Sequence, residues 1–352
     1  MEINIKKIFL AAVLLTFIAI NAHAGDYITI AAVGDIMMGT THPIDILPPE
    51  DGEGIFGNTK TYFKDADIVF GNLEGPLFDG GKWGKCGEKR RPGSQCFDFK
   101  TPVRYTKYLK EAGFNVMSIA NNHAFDFGTE GLKSTLDALN SFGIKPAGGE
   151  MVALFNIKGR KVAIIGFSYY KSFISHSIKD IEGAKSIVSD LRKTNDIVIV
   201  SFHGGAEGRT ALNISDKEEI FLGENRGNVM KFSRAVIDAG ADMVIGHGPH
   251  VLRAMEVYKN KLIAYSLGNF LTYGVFNIKG PNGISVILRA DIEPASGNFA
   301  RGRLIPVKLL NRGIPEIDND REAISLLKGL IQEDIGDSRL QINDDGGLSL
   351  KN

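Results

Sequence analysis

Short apolar runs alternate along the chain with segments whose apolar positions recur every three or four residues. The apolar runs are rich in β-branched side chains and predict buried strands over 27–34, 66–72, 114–120, 161–168, 196–204, 241–248 and 261–269. The intervening segments predict helices over 103–113, 129–143 and 228–241, followed by a terminal helix over 321–334. Strand–helix alternation of this kind is typical of a layered α/β fold with much parallel pairing.

The pattern changes after the alternating part of the chain. Segments 283–294 and 302–313 follow one another without a helix and predict antiparallel strands at the end of a sheet. Residues 336–352 are polar, and we expect them to form a frayed tail. Residues 25–335 are then expected to form one domain, because no linker or internal repeat divides them.

The first 24 residues predict a secretory signal peptide rather than part of the fold. A short positive segment precedes an apolar run, and an Ala-His-Ala pattern ends at Ala24, where we expect cleavage. An uncleaved anchor fits less well, because a membrane span needs about 20 apolar residues. The mature protein is therefore expected to be exported, and to be periplasmic in a Gram-negative cell.

Composition excludes a strongly charged binding protein. The chain has 41 basic and 41 acidic residues, and loss of the signal peptide would leave a net charge of about −1. No charge excess therefore favours nucleic acid or an anionic membrane surface. The two cysteines, Cys86 and Cys96, predict a disulfide in an oxidising compartment, since their loop holds no further Cys or His for a metal.

Polar side chains of the types that bind metals follow nearly every strand of the alternating part. They are Asp35; Asn72 and Glu74; Asn121, Asn122, His123 and Asp126; His203 and Glu207; His247 and His250; and Asn269. Any one of them could be an ordinary turn residue. Turn formation does not select histidine, however, and ligands of open α/β sheets gather at the carboxyl ends of strands. The set therefore predicts a site for Mn²⁺, Zn²⁺ or Fe²⁺ at one sheet edge.

Six motifs, taken in order, carry a family resemblance that spans residues 28–275. They read VGDIMMG, NLEGPL, ANNHAFDFG, SFHGGAE, IGHGPHVL and YSLGNF. In this order they resemble the CapA (poly-γ-glutamate capsule biosynthesis, PGA_cap) family, which is related to the calcineurin-like metallophosphoesterases. The resemblance implies a metallophosphoesterase-like α/β/β/α sandwich, with two mixed sheets flanked by helices and a two-metal site at strand ends.

The resemblance also assigns roles to residues of this chain. The implied metal ligands are Asp35, Glu74, Asn122, His203, His247 and His250. His123 takes the place of the catalytic histidine, and Asp126 either orients it or caps the helix that starts near Thr129.

Two departures from the superfamily pattern bear on the metals. Met37 stands where the first motif has a histidine, and a thioether is a poor ligand for Mn²⁺ or Zn²⁺. His250 also comes one residue later than in the superfamily's Gly-His-x-His motif. The sequence therefore predicts one or two metal ions per chain, with His203 and His247 as the firmer pair of ligands.

The resemblance implies two functions that stay open at this point. The first is a metal-dependent hydrolase of phosphoester, γ-glutamyl or peptide bonds in the synthesis of a capsular or cell-envelope polymer. The second is a non-catalytic, metal-stabilised accessory protein for polymer binding or export. The expected partners are an anionic envelope polymer or a phosphoester, together with membrane-bound capsule-synthesis proteins. Arg253, Lys82 and the basic loop 85–93 are candidate contacts for an anion.

Overall fold

The computed structural model describes residues 27–88 and 96–351; the predicted signal peptide lies outside the described residues. The strands among the described residues are β1 (Ile28–Met37), β2 (Ile68–Leu73), β3 (Val116–Ser118), β4 (Lys145–Ala147), β5 (Ala153–Ile157), β6 (Arg160–Ser168), β7 (His176–Ser177), β8 (Ile197–His203), β9 (Ile220–Phe221), β10 (Glu224–Asn225), β11 (Met243–His247), β12 (Met255–Tyr258), β13 (Lys261–Ala264), β14 (Asn269–Thr272), β15 (Ile284–Ile292), β16 (Phe299–Leu310), β17 (Ile314–Ile317), β18 (Leu340–Ile342) and β19 (Gly347–Leu350). The α-helices are α1 (Thr106–Ala112), α2 (Gly128–Ser141), α3 (Ile181–Thr194), α4 (Val229–Asp238) and α5 (Glu322–Asp334).

Four of these helices match the predicted segments, and α3 does not correspond to any of them. Its N-terminus is capped by the Asp180 side chain, which accepts a hydrogen bond from the Gly183 amide at 3.0 Å. Only Ala184 and Val188 of this helix are buried, one turn apart. So narrow an apolar stripe gives a weak helical period in the sequence, which explains the missed helix.

The first sheet is centred on β1. Strands run in the order β18-β19-β16-β15-β1-β2-β3-β4, with β14 also beside β1 and β17 beside β16. Strands β1 to β4 are parallel, whereas β15 and β16 form the antiparallel extension that the sequence predicted. The sheet therefore combines a parallel half, whose strand ends face one edge, with an antiparallel half that widens the layer.

The second sheet runs in the order β12-β13-β11-β8-β6-β5, with β7 beside β6. Its central strands β6, β8, β11 and β13 are parallel, and β5 and β12 are antiparallel edge strands. Among the described residues, β9 and β10 form a separate two-stranded hairpin. The predicted two-sheet arrangement is confirmed.

Successive residues of β1 point alternately into two cores. Ile28, Ile30 and Ala32 pack in the cluster that also holds the strands of the second sheet. Ala31 and Val33 pack on the opposite face, in the cluster that also holds residues of α1 and α2. Because both faces of this strand are covered, its sequence is continuously apolar rather than alternating, as expected for a central parallel strand. The layers are therefore helix, sheet, sheet and helix.

Two features differ from the sequence expectations. The predicted strand 261–269 is two strands, because the chain leaves the second sheet after Ala264 and enters the first sheet at Asn269. The predicted frayed tail is wrong as well: β18 and β19 form a hairpin on β16, with Leu340 and Leu348 buried. Burial of these leucines in the core that lies between the sheets offsets the polarity of the segment.

No helix in residues 27–88 and 96–351 is long and apolar enough to cross a membrane.

Candidate metal centre

Strand register brings the predicted ligand residues into two rows. In the first sheet, Asp35 of β1 pairs with Asn72 of β2 on one side and with Asn269 of β14 on the other. In the second sheet, His203 of β8 pairs with His247 of β11. Strands β1 and β11 come into contact across the sandwich, so the acidic and amide row meets the imidazole row. The prediction of a single sheet edge is corrected accordingly: the site lies where two sheets meet.

The centre of the site is a group of three buried side chains. Asp35, Glu74 and His203 each present a ligand atom, and these atoms lie within 4.8 Å of one another. The Nδ1 atom of His203 is 3.0 Å from Glu74 Oε1. All three side chains are at most 2% exposed. Two carboxylates and an imidazole buried together are a set that a divalent cation would neutralise and bind.

The Gly-Pro turn after β11 directs two histidines at one carboxylate. His247 Nδ1 lies 3.3 Å from Asp35 Oδ1, and His250 Nδ1 lies 2.9 Å from Asp35 Oδ2. Gly248 has a φ of 109° and His250 has a φ of 58°, so the chain doubles back within three residues. Asn269, named as a strand-end residue above, lies at the start of β14, where its Oδ1 is 3.1 Å from the Nδ1 of His250.

Several ligand atoms of the site are buried without a hydrogen-bond partner among the described residues. They are Glu74 Oε2, Asn122 Oδ1, His203 Nε2, and both Nδ1 and Nε2 of His247. A buried polar atom without a partner loses its hydration and regains nothing, which costs ~1–3 kcal/mol. Oxygen and imidazole nitrogen atoms left open in this way fit a divalent cation, which would be bound by the oxygens and by one nitrogen of each ring.

Two asparagines that the predicted ligand set did not include order the site. The Nδ2 atom of Asn72 donates to Asp35 Oδ1 at 2.8 Å and to Glu74 Oε1 at 2.7 Å, between the two carboxylates. Asn121 fixes that orientation, since its own Nδ2 donates to Asn72 Oδ1 at 3.1 Å and to the Leu73 carbonyl at 2.8 Å. In the sequence, the placement of Asn72 two residues before Glu74 in the second motif could have indicated this contact.

His123 and Asp126 form a hydrogen-bonded pair beside the cluster. The Nδ1 atom of His123 is 2.9 Å from Asp126 Oδ2, and its Nε2 atom is 4.0 Å from Glu74 Oε2. Because a carboxylate only accepts hydrogen bonds, Nδ1 carries the proton and Nε2 faces the site. The alternative role of Asp126 as a helix cap is wrong: α2 begins at Gly128 without a side-chain cap.

Burial and opposite charges shift the pKa values of the central groups in opposing directions. Burial alone would raise the pKa of Asp35, but the His247 and His250 imidazoles outweigh it and hold that pKa well below its usual range. Burial would likewise raise the pKa of Glu74, but the His203 imidazole outweighs this effect, and the pKa of Glu74 is lowered. Burial would lower the pKa of His250, yet the hydrogen bond to Asp35 raises it to about 10. A metal ion must therefore compete with a proton at His250, whereas the lowered pKa values keep the carboxylates of Asp35 and Glu74 ionised.

Three other sequence candidates lie away from the open ligand atoms. The sulfur of Met37 accepts a hydrogen bond from the Gly39 amide at 3.3 Å. Arg253 is fully buried and forms an ion pair with Glu219, so its expected role as an anion contact is wrong. Lys82 is exposed, with its ammonium 5.1 Å from the centre of the Trp83 ring. Part of the basic loop 85–93 lies outside the described residues.

Comparisons with known proteins identify the class to which this fold and site belong. The family model described as "Bacterial capsule synthesis protein PGA_cap" matches residues 29–273. The chain therefore belongs to this capsule synthesis family, as the motifs predicted.

Among individual relatives, the chain is 31% identical to "Capsule biosynthesis protein CapA" of Bacillus anthracis over 69% of its own length. It is 29% identical to "PGA biosynthesis protein CapA" of Bacillus subtilis over 72% of its length. The matches cover 59% and 65% of these two relatives, so the chain spans about three fifths of their length.

One solved structure supports the fold. A phosphatase from Mycoplasma pneumoniae superposes with a TM-score of 0.50, covering 85% of this chain and 99% of its own. Its sequence identity is 14%, so the likeness concerns the fold. The fold is that of the metallophosphoesterase-like proteins, as the sequence resemblance implied.

Proposed function

We propose that this protein is an exported, metal-dependent hydrolase that acts in the synthesis of a capsular or cell-envelope polymer. The observation that carries the proposal is the group of open, buried ligand atoms around Asp35, Glu74 and His203, with the Nε2 atom of His123 directed at the same space. The family membership supports the polymer as the substrate class. Cleavage of the signal peptide after Ala24 is part of the proposal.

The residues that would hold one or two divalent cations, Mn²⁺, Zn²⁺ or Fe²⁺, are Asp35, Glu74, Asn122, His203, His247 and His250. When bound, such a cation supplies Lewis-acid polarisation of the scissile phosphoryl or carbonyl group and lowers the pKa of a water. The remaining steps belong to side chains. As the imidazolium, with a proton on each ring nitrogen, His123 donates the Nε2 proton to the leaving group, and the Asp126 carboxylate stabilises that cation and holds the Nδ1 proton. The walls of the two sheets exclude bulk water.

The departures from the superfamily pattern favour one strongly held cation. Among the described residues, Asp35 and Glu74 are the two carboxylates of the group, and the amide of Asn72 lies between them. Asn72 is neutral and its amide nitrogen donates, so it adds no negative charge to hold a second ion. His250 is already engaged by Asp35 and Asn269, which fits the prediction of a weaker ligand.

A substrate screen tests the proposal. The protein, loaded with Mn²⁺ or Zn²⁺, would be incubated with phosphodiesters, poly-γ-glutamate and peptidoglycan fragments. We expect hydrolysis of one class, with loss of turnover but not of metal in His123→Ala. Elemental analysis that finds no transition metal after incubation with Mn²⁺ or Zn²⁺ would sink the metal site.

A second candidate function is a non-catalytic accessory role. A relative from Mycobacterium tuberculosis, 24% identical over 81% of this chain, is named "Probable polyglutamine synthesis accessory protein". In that case the cation would stabilise a surface for polymer binding or export. His123→Ala distinguishes the two functions, since an accessory protein would keep its polymer affinity and have no turnover to lose.

A further inference from the structure

The loop closed by the Cys86–Cys96 disulfide reaches Asp126 from both of its stems. On the first stem, the Lys85 ammonium forms an ion pair with Asp126 Oδ1 at 2.7 Å, and the Lys85 amide donates to the Asp126 carbonyl at 2.6 Å. On the second stem, the Phe99 amide donates to Asp126 Oδ2 at 2.7 Å. The two stems therefore hold different oxygens of one carboxylate.

The same two stems also contact His123 and its neighbour. The Phe99 ring lies against the His123 imidazole, with 4.5 Å between ring centres and 32° between planes. Lys85 Nζ donates to the carbonyl of Asn122 at 2.9 Å, directly before His123 in the chain. The two stems thus contact one face of the imidazole, the backbone next to it, and the carboxylate to which it is hydrogen-bonded.

We propose that Lys85 is a positioning residue for His123, and that the disulfide keeps Lys85 and Phe99 in place as a two-sided clamp. With Oδ1 occupied by the ammonium, the carboxylate presents Oδ2 to Nδ1 of His123. The terminal torsion of an aspartate is broad and roughly two-fold, so a carboxylate without the Lys85 contact turns more freely.

The Lys85–Asp126 pair differs from an ordinary surface ion pair. The Asp126 side chain is fully buried, whereas the Lys85 side chain is 33% exposed. Exposed pairs contribute little, but removal of a cation from a buried carboxylate costs more, because solvent does not replace the lost partner. The Cys86 amide donates to Asp98 Oδ2 at 3.2 Å, which ties the first stem to the second. Reduction of the disulfide is expected to release this connection and loosen the clamp.

The test uses Lys85→Met, Lys85→Arg and, as a matched control, Lys60→Met at an exposed lysine outside the site. The first measurement is nuclear magnetic resonance of ¹⁵N-labelled histidine rings in the chelated protein, with His123 signals assigned by His123→Ala. Lys85→Met is expected to move the His123 ring signals, whereas Lys85→Arg restores them and Lys60→Met leaves them unchanged. Unchanged His123 signals in Lys85→Met would overturn the proposal.

The second measurement rests on the proposed function and uses bis(p-nitrophenyl) phosphate with metal-loaded protein. Lys85→Met is expected to lower kcat by about 10–100-fold with KM and metal content unchanged, as for loss of a residue that orients a catalytic group. An equal loss in Lys60→Met, or a loss explained by metal content, contradicts the clamp. If the wild-type protein hydrolyses nothing, the proposed function fails while the resonance measurement still decides the clamp.

The role of the disulfide is tested separately by comparing oxidised and reduced wild-type protein. Reduction is expected to move the same His123 signals as Lys85→Met does, while signals of His176, outside the site, stay in place. Reduced protein with His123 signals identical to those of oxidised protein would overturn the part of the proposal that concerns the disulfide.

Discussion

Two buried polar clusters of this protein look alike in composition and differ in how their atoms are used. Around Arg253, the guanidinium donates to both oxygens of Glu219 at 2.9 and 2.7 Å, and to the carbonyls of Ala206 and Ala211 at 3.0 and 2.7 Å. Around Asp35, by contrast, Glu74 Oε2, His203 Nε2 and both ring nitrogens of His247 have no hydrogen-bond partner among the described residues.

This difference distinguishes a cluster that stabilises the fold from a cluster that can bind a ligand. Where positive and negative groups satisfy each other, as in Arg253 and Glu219, the cluster holds the chain together and has nothing left to bind. Buried lone pairs that have no donor are costly to fold, so they are retained where a ligand satisfies them. Charge and burial alone do not make this distinction, since Arg253 and Asp35 are both charged and fully buried.

The largest expected effect is on catalysis, at the open cluster. We expect His123→Ala to lower turnover of the hydrolysed substrate by about 10²–10⁴-fold, because proton transfer to the leaving group is lost. Steady-state kinetics with metal-loaded protein measures this, and His176→Ala is the control for removal of a histidine outside the site. A His123→Ala protein within twofold of wild type would remove His123 from the mechanism.

The next effect is on stability, at the satisfied cluster. Arg253→Met should lower the free energy of unfolding by about 3 kcal/mol, since it leaves the Glu219 carboxylate without its cation partner and two carbonyls without a donor. Urea unfolding measures the change, and Arg209→Met, at an exposed position of the loop that contains Ala206 and Ala211, is the control. Metal content per folded chain should stay at the wild-type value; a parallel loss of metal would contradict the separation of the two clusters.

Metal binding should stabilise the folded protein through the open cluster. At free Zn²⁺ or Mn²⁺ equal to 100 times Kd, linkage predicts a gain of ~2.7 kcal/mol in the free energy of unfolding. Thermal unfolding with metal and with chelator compares the two states. Glu74→Gln should remove most of this gain, because it removes one of two central carboxylates, and an undiminished gain in that variant would place the metal elsewhere.

The smallest effect on stability is expected at an exposed ion pair. Lys133 and Asp137 pair along α2, one turn apart, with both side chains mostly exposed. Lys133→Ala should change the free energy of unfolding by no more than about 0.5 kcal/mol, since solvent already screens this pair. Urea unfolding of this variant and of Arg253→Met would show whether burial accounts for the difference in their stability losses. Equal decreases in the free energy of unfolding of the two variants would refute that explanation.

The site shows which of its features can be predicted from local sequence patterns. Each of Asp35, His203 and His247 lies at or near the end of an apolar strand, and that position can be predicted because strand ends are encoded locally. By contrast, the crossing from the second sheet to the first, over 265–268, lies inside a segment whose pattern predicts one strand, so the start of a new strand at Asn269 could not be predicted. The same limit applies to Arg253, whose partner Glu219 is 34 residues away in the chain.

The family, the strand–helix alternation, the cysteine pair and the residue types at the strand ends could all be predicted from the sequence. These depend on short-range patterns and on motif order. The tertiary structure decided which strand ends meet across the two sheets, that Asn72 lies between two carboxylates, and that Asp126 holds His123 instead of capping α2. Those outcomes depend on strand order and on packing between layers, which join residues far apart in the chain.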